Sequence, residues 1–268
     1  MNAWKALVWC APVVLAGCAH GFNRDLLQER LNDGSLQVTD TAIAEARSLK
    51  PQLKLPCRVA YYLKPSKQGD WRWTTEDRAA LEPLTAALKR DGIASEVFAL
   101  PEMLSGYSTE VKKLRLAAAK CGADVLLVVN GASQSDKYKN PAALLYLTIV
   151  GGYVVPGDHV DSLFMIEGCL FDVDNGFLYT SAQAEGVGKI VRPSFIIEEK
   201  DAVAKAKKKA LGQFADELLT QMKGLAGFAA ALPPQSPPGT HPLPGTARHL
   251  TPPKQEATPL PATPQIDR

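Results

Sequence analysis

Cys18 is the residue whose neighbours most plainly equip it for chemistry. Leu15-Ala16-Gly17 precedes it: one branched residue, then two small ones. Small side chains let an extended chain enter a narrow peptidase site, and the cysteine thiol is a nucleophile able to take a diacylglyceryl group. Lys5 and an apolar run over residues 6–16 stand upstream. A positive start, a short apolar core and a small-residue cleavage zone make the layout of a secretory signal. The run is too short to cross a bilayer, which takes about 20 apolar residues. The pattern predicts a signal peptide over residues 1–17, cleavage between Gly17 and Cys18, and lipidation of Cys18. An ordinary signal peptide with a chance cysteine is the alternative. Cys10 lies in the part removed.

Acyl chains on Cys18 would join the protein to membrane lipid. Each buried CH₂ contributes about 0.8 kcal/mol, so several chains hold stably where one does not. In Gram-negative bacteria an Asp after the lipidated residue favours retention in the inner membrane. Ala19 stands there, which points to the outer membrane and its periplasmic side.

Other candidates are weaker. His159 sits in Gly157-Asp158-His159-Val160-Asp161. Asp158, His159 and Asp161 offer oxygen and nitrogen donors for a metal; a polar loop ahead of a strand has the same composition. Trp71-Arg72-Trp73 sets two indoles around a cation, which suits a sugar or a partner, or else covers the edge of a core. Trp71 and Trp73 are the candidate binding residues. Gly186-Val187-Gly188-Lys189 is glycine-rich but lacks the spacing of a phosphate loop. Neither a Gly-x-Ser-x-Gly elbow nor a full phosphate loop is present. Cys57, Cys121 and Cys169 lie far apart, unlike zinc ligands. They read as small buried apolar residues, or as one disulfide with a thiol left over. No metal or cofactor is expected.

These residues need elements to position them. Residues 18–55 read as a lipidated tether, mildly helical at 25–31 and 39–49. Residues 56–232 read as one globular domain. Residues 57–63 and 93–100 suit strands, and 123–129 form a continuous apolar run typical of a strand buried on both faces. Thr74 or Thr75 caps a helix to Arg90, with Leu81, Leu84, Ala87 and Leu88 at helical spacing. Ser108 caps another, with Val111, Leu114, Ala118 and Cys121 aligned. Residues 160–173 and 177–187 flank Asp174-Asn175-Gly176, a hairpin signal. A closing helix, starting near Ser194 or Glu198, carries Val203, Ala206, Ala210, Phe214, Leu218 and Met222 as its apolar stripe. Lys205 and residues 207–209 read as its solvated face rather than a lipid or nucleic-acid surface. The class is α/β: a small, three-layer-like domain with a mixed sheet, a long antiparallel hairpin and a packing helix. Residues 233–268 hold eleven of the twenty prolines. Such a segment cannot bury enough surface to offset its ordering entropy and reads as a disordered tail.

Residues 142–155 are uncharged and too short to span a bilayer as a helix. They suit a core helix, or a segment at a lipid surface or an oligomer interface, where Tyr146 and Tyr153 would each have one wet end. The run Leu147-Thr148-Ile149-Val150-Gly151-Gly152-Tyr153-Val154-Val155-Pro156-Gly157, with Phe171-Asp172-Val173 after it, resembles the rhombotarget lipoprotein family. The likeness covers about residues 56–222 and implies an envelope lipoprotein. Some members carry a carboxy-terminal tag of Gly-Gly, apolar helix and basic residues, cut by a rhomboid-type protease. The proline-rich end of this chain departs from that pattern. The element order also resembles the small α/β domain of a curli-secretion lipoprotein and a penicillin-binding-protein activator, an analogy of fold alone.

A net charge of +2 points to no nucleic-acid partner. The expectation is a membrane-anchored, non-enzymatic adaptor, accessory or assembly factor, with an envelope protein or peptidoglycan as partner. An envelope hydrolase or metal enzyme built around His159, or a multimeric envelope or secretion component, are the alternatives.

Overall fold

The computed structural model describes residues 21–31, 39–106, 108–139, 158–193 and 198–231. Gly17 and Cys18, the apolar residues 142–155, Ser194 and the proline-rich residues 233–268 lie outside them. The strands are β1 (Cys57–Leu63), β2 (Ala94–Ala99), β3 (Val125–Lys139), β4 (Asp158–Asp172) and β5 (Leu178–Arg192). The helices are α1 (Arg24–Leu31), α2 (Asp40–Ser48), α3 (Thr75–Ala79), α4 (Glu82–Arg90), α5 (Glu102–Ser105), α6 (Val111–Lys120) and α7 (Glu199–Ala231).

One mixed sheet runs in the order β2-β1-β3-β4-β5. β1 lies parallel to β2 and β3, and their connections pass through helices as parallel pairing demands. β3, β4 and β5 follow as an antiparallel meander. β3 is far longer than the apolar run 123–129 foretold. Its last pair with β1 is Leu63↔Val129, but pairing with β4 continues to Lys139↔Asp158. That polar half is held by β4, so apolar continuity could not mark it.

The sheet is the middle of three layers. On one face, Leu84 and Leu88 of α4 and Phe214 and Leu218 of α7 bury Val59, Leu127, Phe164 and Ile166. On the other, Leu114, Ala117 and Ala118 of α6 cover Ala60, Tyr62, Leu126 and Val128. Farther along that face, Leu27 and Leu31 of α1 cover Ala132 and Leu163. Leu27 is 0% exposed, so α1 packs as part of the domain although its sequence shows no strong apolar face. Two leucines at i and i+4 suffice because one turn of helix aligns them.

The helix expected over 75–90 is two helices. Pro83 has no N–H, and its ring would meet the carbonyl of Ala79, four residues back. The chain turns between them, and Pro83 falls in the first turn of α4, where its missing donor is harmless. Ser108 caps the turn before α6 instead of the helix: its Oγ accepts from Glu110 N at 3.1 Å. At the β4–β5 turn, Asp172 Oδ1 accepts from Asp174 N and Asn175 N, and Gly176 takes φ 80°. Arg115 from α6 locks the turn by donating to the carbonyls of Asp172, Val173 and Asp174.

Candidate functional site

Asp158, His159 and Asp161 do not converge. Side chains of a strand alternate between faces. Asp158 points with Val160 to the α7 side and is buried. His159 and Asp161 point to the opposite side. There His159 stacks on Tyr138, ring centroids 5.0 Å apart and planes 12° apart. Tyr138 donates to Asp161 Oδ2 at 3.3 Å, and Lys189 Nζ reaches the same oxygen at 3.1 Å. Burial first, and then the Asp161 carboxylate, push the Tyr138 hydroxyl upward. The motif therefore yields an aromatic–imidazole stack beside an ion pair. Among the described residues, no group of three His, Cys, Asp or Glu side chains could hold a metal.

Trp71 and Trp73 come together, but facing inward. Their rings meet edge to face at 4.8 Å, and Trp71 meets Phe164 of β4 at 4.9 Å. Trp73 Nε1 donates to the Lys64 carbonyl at 2.6 Å. The cation against these indoles is Lys207 of α7, whose Nζ lies 5.9 and 5.7 Å from the two ring centroids. Arg72 contributes its carbonyl, which accepts from Lys207 Nζ at 2.7 Å. Lys207 also donates to Asp77 Oδ2 at 2.5 Å, with side chains 6% and 9% exposed. Asp77 in turn closes the N-terminus of α3, accepting from Thr74 N and trading a bond with the Thr74 hydroxyl. Lys207 thus leaves the solvated face expected for it. It stands four residues from both Val203 and Leu211, along the buried stripe, and Asp77 neutralises it there.

Beside Trp71 lies a cavity of about 390 Å³ lined by Leu26, Arg30, Lys67, Gln68, Trp71 and Asn130, among others. Its size is that of a small-molecule pocket, and its wall mixes one indole with cations and amides. α1 forms one side. Arg30 Nη1 donates to the Ser133 carbonyl and Asn130 Nδ2 to the Leu31 carbonyl, so side chains fix the helix over the sheet.

Gly186 and Gly188 serve packing. A Cβ on Gly186 would lie 2.2 Å from Ala206 O, and one on Gly188 2.1 Å from Ala202 O. The glycines let α7 lie against β5. Cys57, Cys121 and Cys169 are all free thiols. Burial pushes Cys57 up to about 11, far from a reactive thiolate.

Nothing in the pattern of neighbouring residues marks Lys64. It is buried one residue past β1, where its N–H donates to the Val129 carbonyl at 2.8 Å. Burial first, then nearby Lys67, push its amine down to about 8. A lysine one residue past an apolar strand looks like any strand end; only the folded chain around it buries it.

No family model and no curated protein matches the chain. Among solved structures it is similar to a PelC dodecamer from Paraburkholderia phytofirmans, at 16% identity over 63% of this chain and 94% of that one, TM-score 0.28. It is similar to the LpoB C-terminal domain from Salmonella enterica at 14% identity, over 50% and 84%, TM-score 0.29. A minor lipoprotein from Acinetobacter baumannii aligns at 9% identity, over 64% and 95%, TM-score 0.32. At such scores, function is argued from this chain's own residues. No helix among the described residues is long and apolar enough to cross a membrane.

Proposed function

We propose that this protein is a lipoprotein of the bacterial envelope, held by acylated Cys18 in the outer membrane with its α/β domain on the periplasmic side. It acts there as a non-enzymatic adaptor or assembly factor whose partner is an envelope protein or peptidoglycan. The observation that carries the reading is Leu15-Ala16-Gly17-Cys18 behind Lys5 and a short apolar run. Membership of the rhombotarget lipoproteins, suggested by residues 147–157, belongs to the same proposal. The separation of Asp158 from His159 and Asp161 across the sheet supports an adaptor over a metal enzyme. Trp71 is proposed to meet the partner through the cavity it lines, with Trp73 as its support. Replacement of Cys18 by Ser should abolish incorporation of radioactive palmitate; undiminished label in that variant sinks the anchor. A pull-down of the lipidated chain from its own envelope, beside the soluble domain, identifies the partner.

A further inference from the structure

The anchor is close to the domain. Cys18 precedes Asn23 by five residues, and five residues span at most about 18 Å. Asn23 is fixed: its N–H donates to Gln134 Oε1 at 2.8 Å. Phe22 packs against the cluster of Leu27, Ala132 and Leu163, and Arg24 pairs with Glu185 at 3.0 Å. Acyl chains on Cys18 therefore enter a bilayer within about 18 Å of one known place on the sheet. A domain on a long linker would be free to turn; this one is held by a chosen face.

Beside that place the same face of the sheet continues. α1 covers the row through Leu163. Two rows follow toward the joined ends of β3 and β4. The first is Asp136–Asp161–Lys189, and the second is Tyr138–His159–Val191. No described helix covers either row. Val191 is 45% exposed, and the Lys189 side chain is 69% exposed.

We propose that this corner of the sheet, built on Tyr138, His159, Lys189 and Val191, rests on the lipid headgroups next to the anchor. The inference depends on lipidation of Cys18. The chemistry fits an interface. Stacked rings with polar tips are at home at headgroup depth, where an apolar body and a wet end are both satisfied. Val191 adds an apolar foot. Lys189, paired with Asp161 at 3.1 Å, can lay its stem along the surface and keep its ammonium at headgroup level. A bilayer is the occupant because the anchor delivers it to this face. The opposite end of the sheet, with the Asp174–Gly176 turn, is then turned away from the membrane.

The test uses the wild-type acylated chain in liposomes of phosphatidylethanolamine and phosphatidylglycerol. A brief pulse of a water-soluble acetylating reagent is read lysine by lysine by mass spectrometry. Lys120 and Lys89, exposed on helices away from the corner, serve as references within the same molecules. The ratio of Lys189 to Lys120 reactivity should fall severalfold in liposomes relative to the Cys18→Ser protein free in solution. The same ratio measured on the wild-type acylated chain in detergent-free buffer against liposomes should fall equally, and the ratio of Lys89 to Lys120 should stay constant throughout. An unchanged ratio, with the acyl mass present on Cys18, overturns the inference and leaves the anchor standing. Absence of that mass overturns the anchor reading itself. Protection that needs added envelope proteins assigns the corner to a protein and overturns the lipid reading.

Discussion

Gly188 of β5 faces Ala202 of α7 with no space for a side chain between them: a Cβ on the glycine would stand 2.1 Å from the alanine carbonyl oxygen. Gly186 repeats the relationship one helical turn on, against Ala206 and Ala210. Ala202, Ala206 and Ala210 are fully buried. Small residues at i, i+4 and i+8 give the helix a smooth flank, and the paired glycines give the strand a matching one. The glycine-rich fragment Gly186-Val187-Gly188-Lys189 is a seam.

Gly188→Ala should therefore destabilise the domain by about 1–3 kcal/mol, the usual cost of overpacking, because the obstacle is rigid backbone. Gly212→Ala on the same helix should do the reverse. Nothing lies within 4 Å of its added Cβ, and alanine is favoured over glycine in a helix by about 1 kcal/mol. Urea unfolding of the two variants would show shifts of opposite sign.

The buried pair of Lys207 and Asp77 joins α7 to the cap of α3. Lys207→Met leaves the Asp77 carboxylate buried without its cation and should cost about 3 kcal/mol or more. Asp77→Asn added to it should recover part of that loss. A double-mutant cycle in denaturant reads the coupling; strictly additive effects would show that the two groups do not stabilise one another.

Stability should also carry a signature of Lys64. Its amine is pushed down to about 8 from an ordinary 10.5. Between those values the unfolded chain binds the proton and the folded chain does not, so this group adds stability as pH rises through the window. Cys57, Tyr138 and Tyr179 act oppositely, since all three are pushed up; their contribution is present below their ordinary values and is lost as pH rises. The contribution of Lys64 is isolated by subtracting the profile of Lys64→Met. Unfolding free energy of the wild type, measured against this variant, should gain from pH 8 to 10.5.

Leu27→Ala should undock α1. Truncating a fully buried leucine costs about 2–5 kcal/mol, more than a helix of 8 residues held by one further leucine and a few polar bonds can absorb. Hydrogen exchange over residues 24–31 should become fast, while β3 and β4 keep their protection. Equal loosening of the sheet would mean that α1 is part of the same cooperative unit.

The sequence by itself determined the class of fold. The proposed anchor is local too: Leu15-Ala16-Gly17-Cys18 are consecutive residues and the proposal needs no tertiary context. The strand at 57–63, the α7 stripe from Val203 to Met222 and the Asn175-Gly176 turn are also local: each is a periodicity or a backbone preference within one segment. Tertiary structure alone decided the rest. It buried Lys207 with Asp77, 130 residues away, and buried Lys64 as well. It turned Gly186 and Gly188 into a packing seam. Each of these depends on which distant backbone lies opposite a residue. No pattern confined to the residue's own neighbours contains that information.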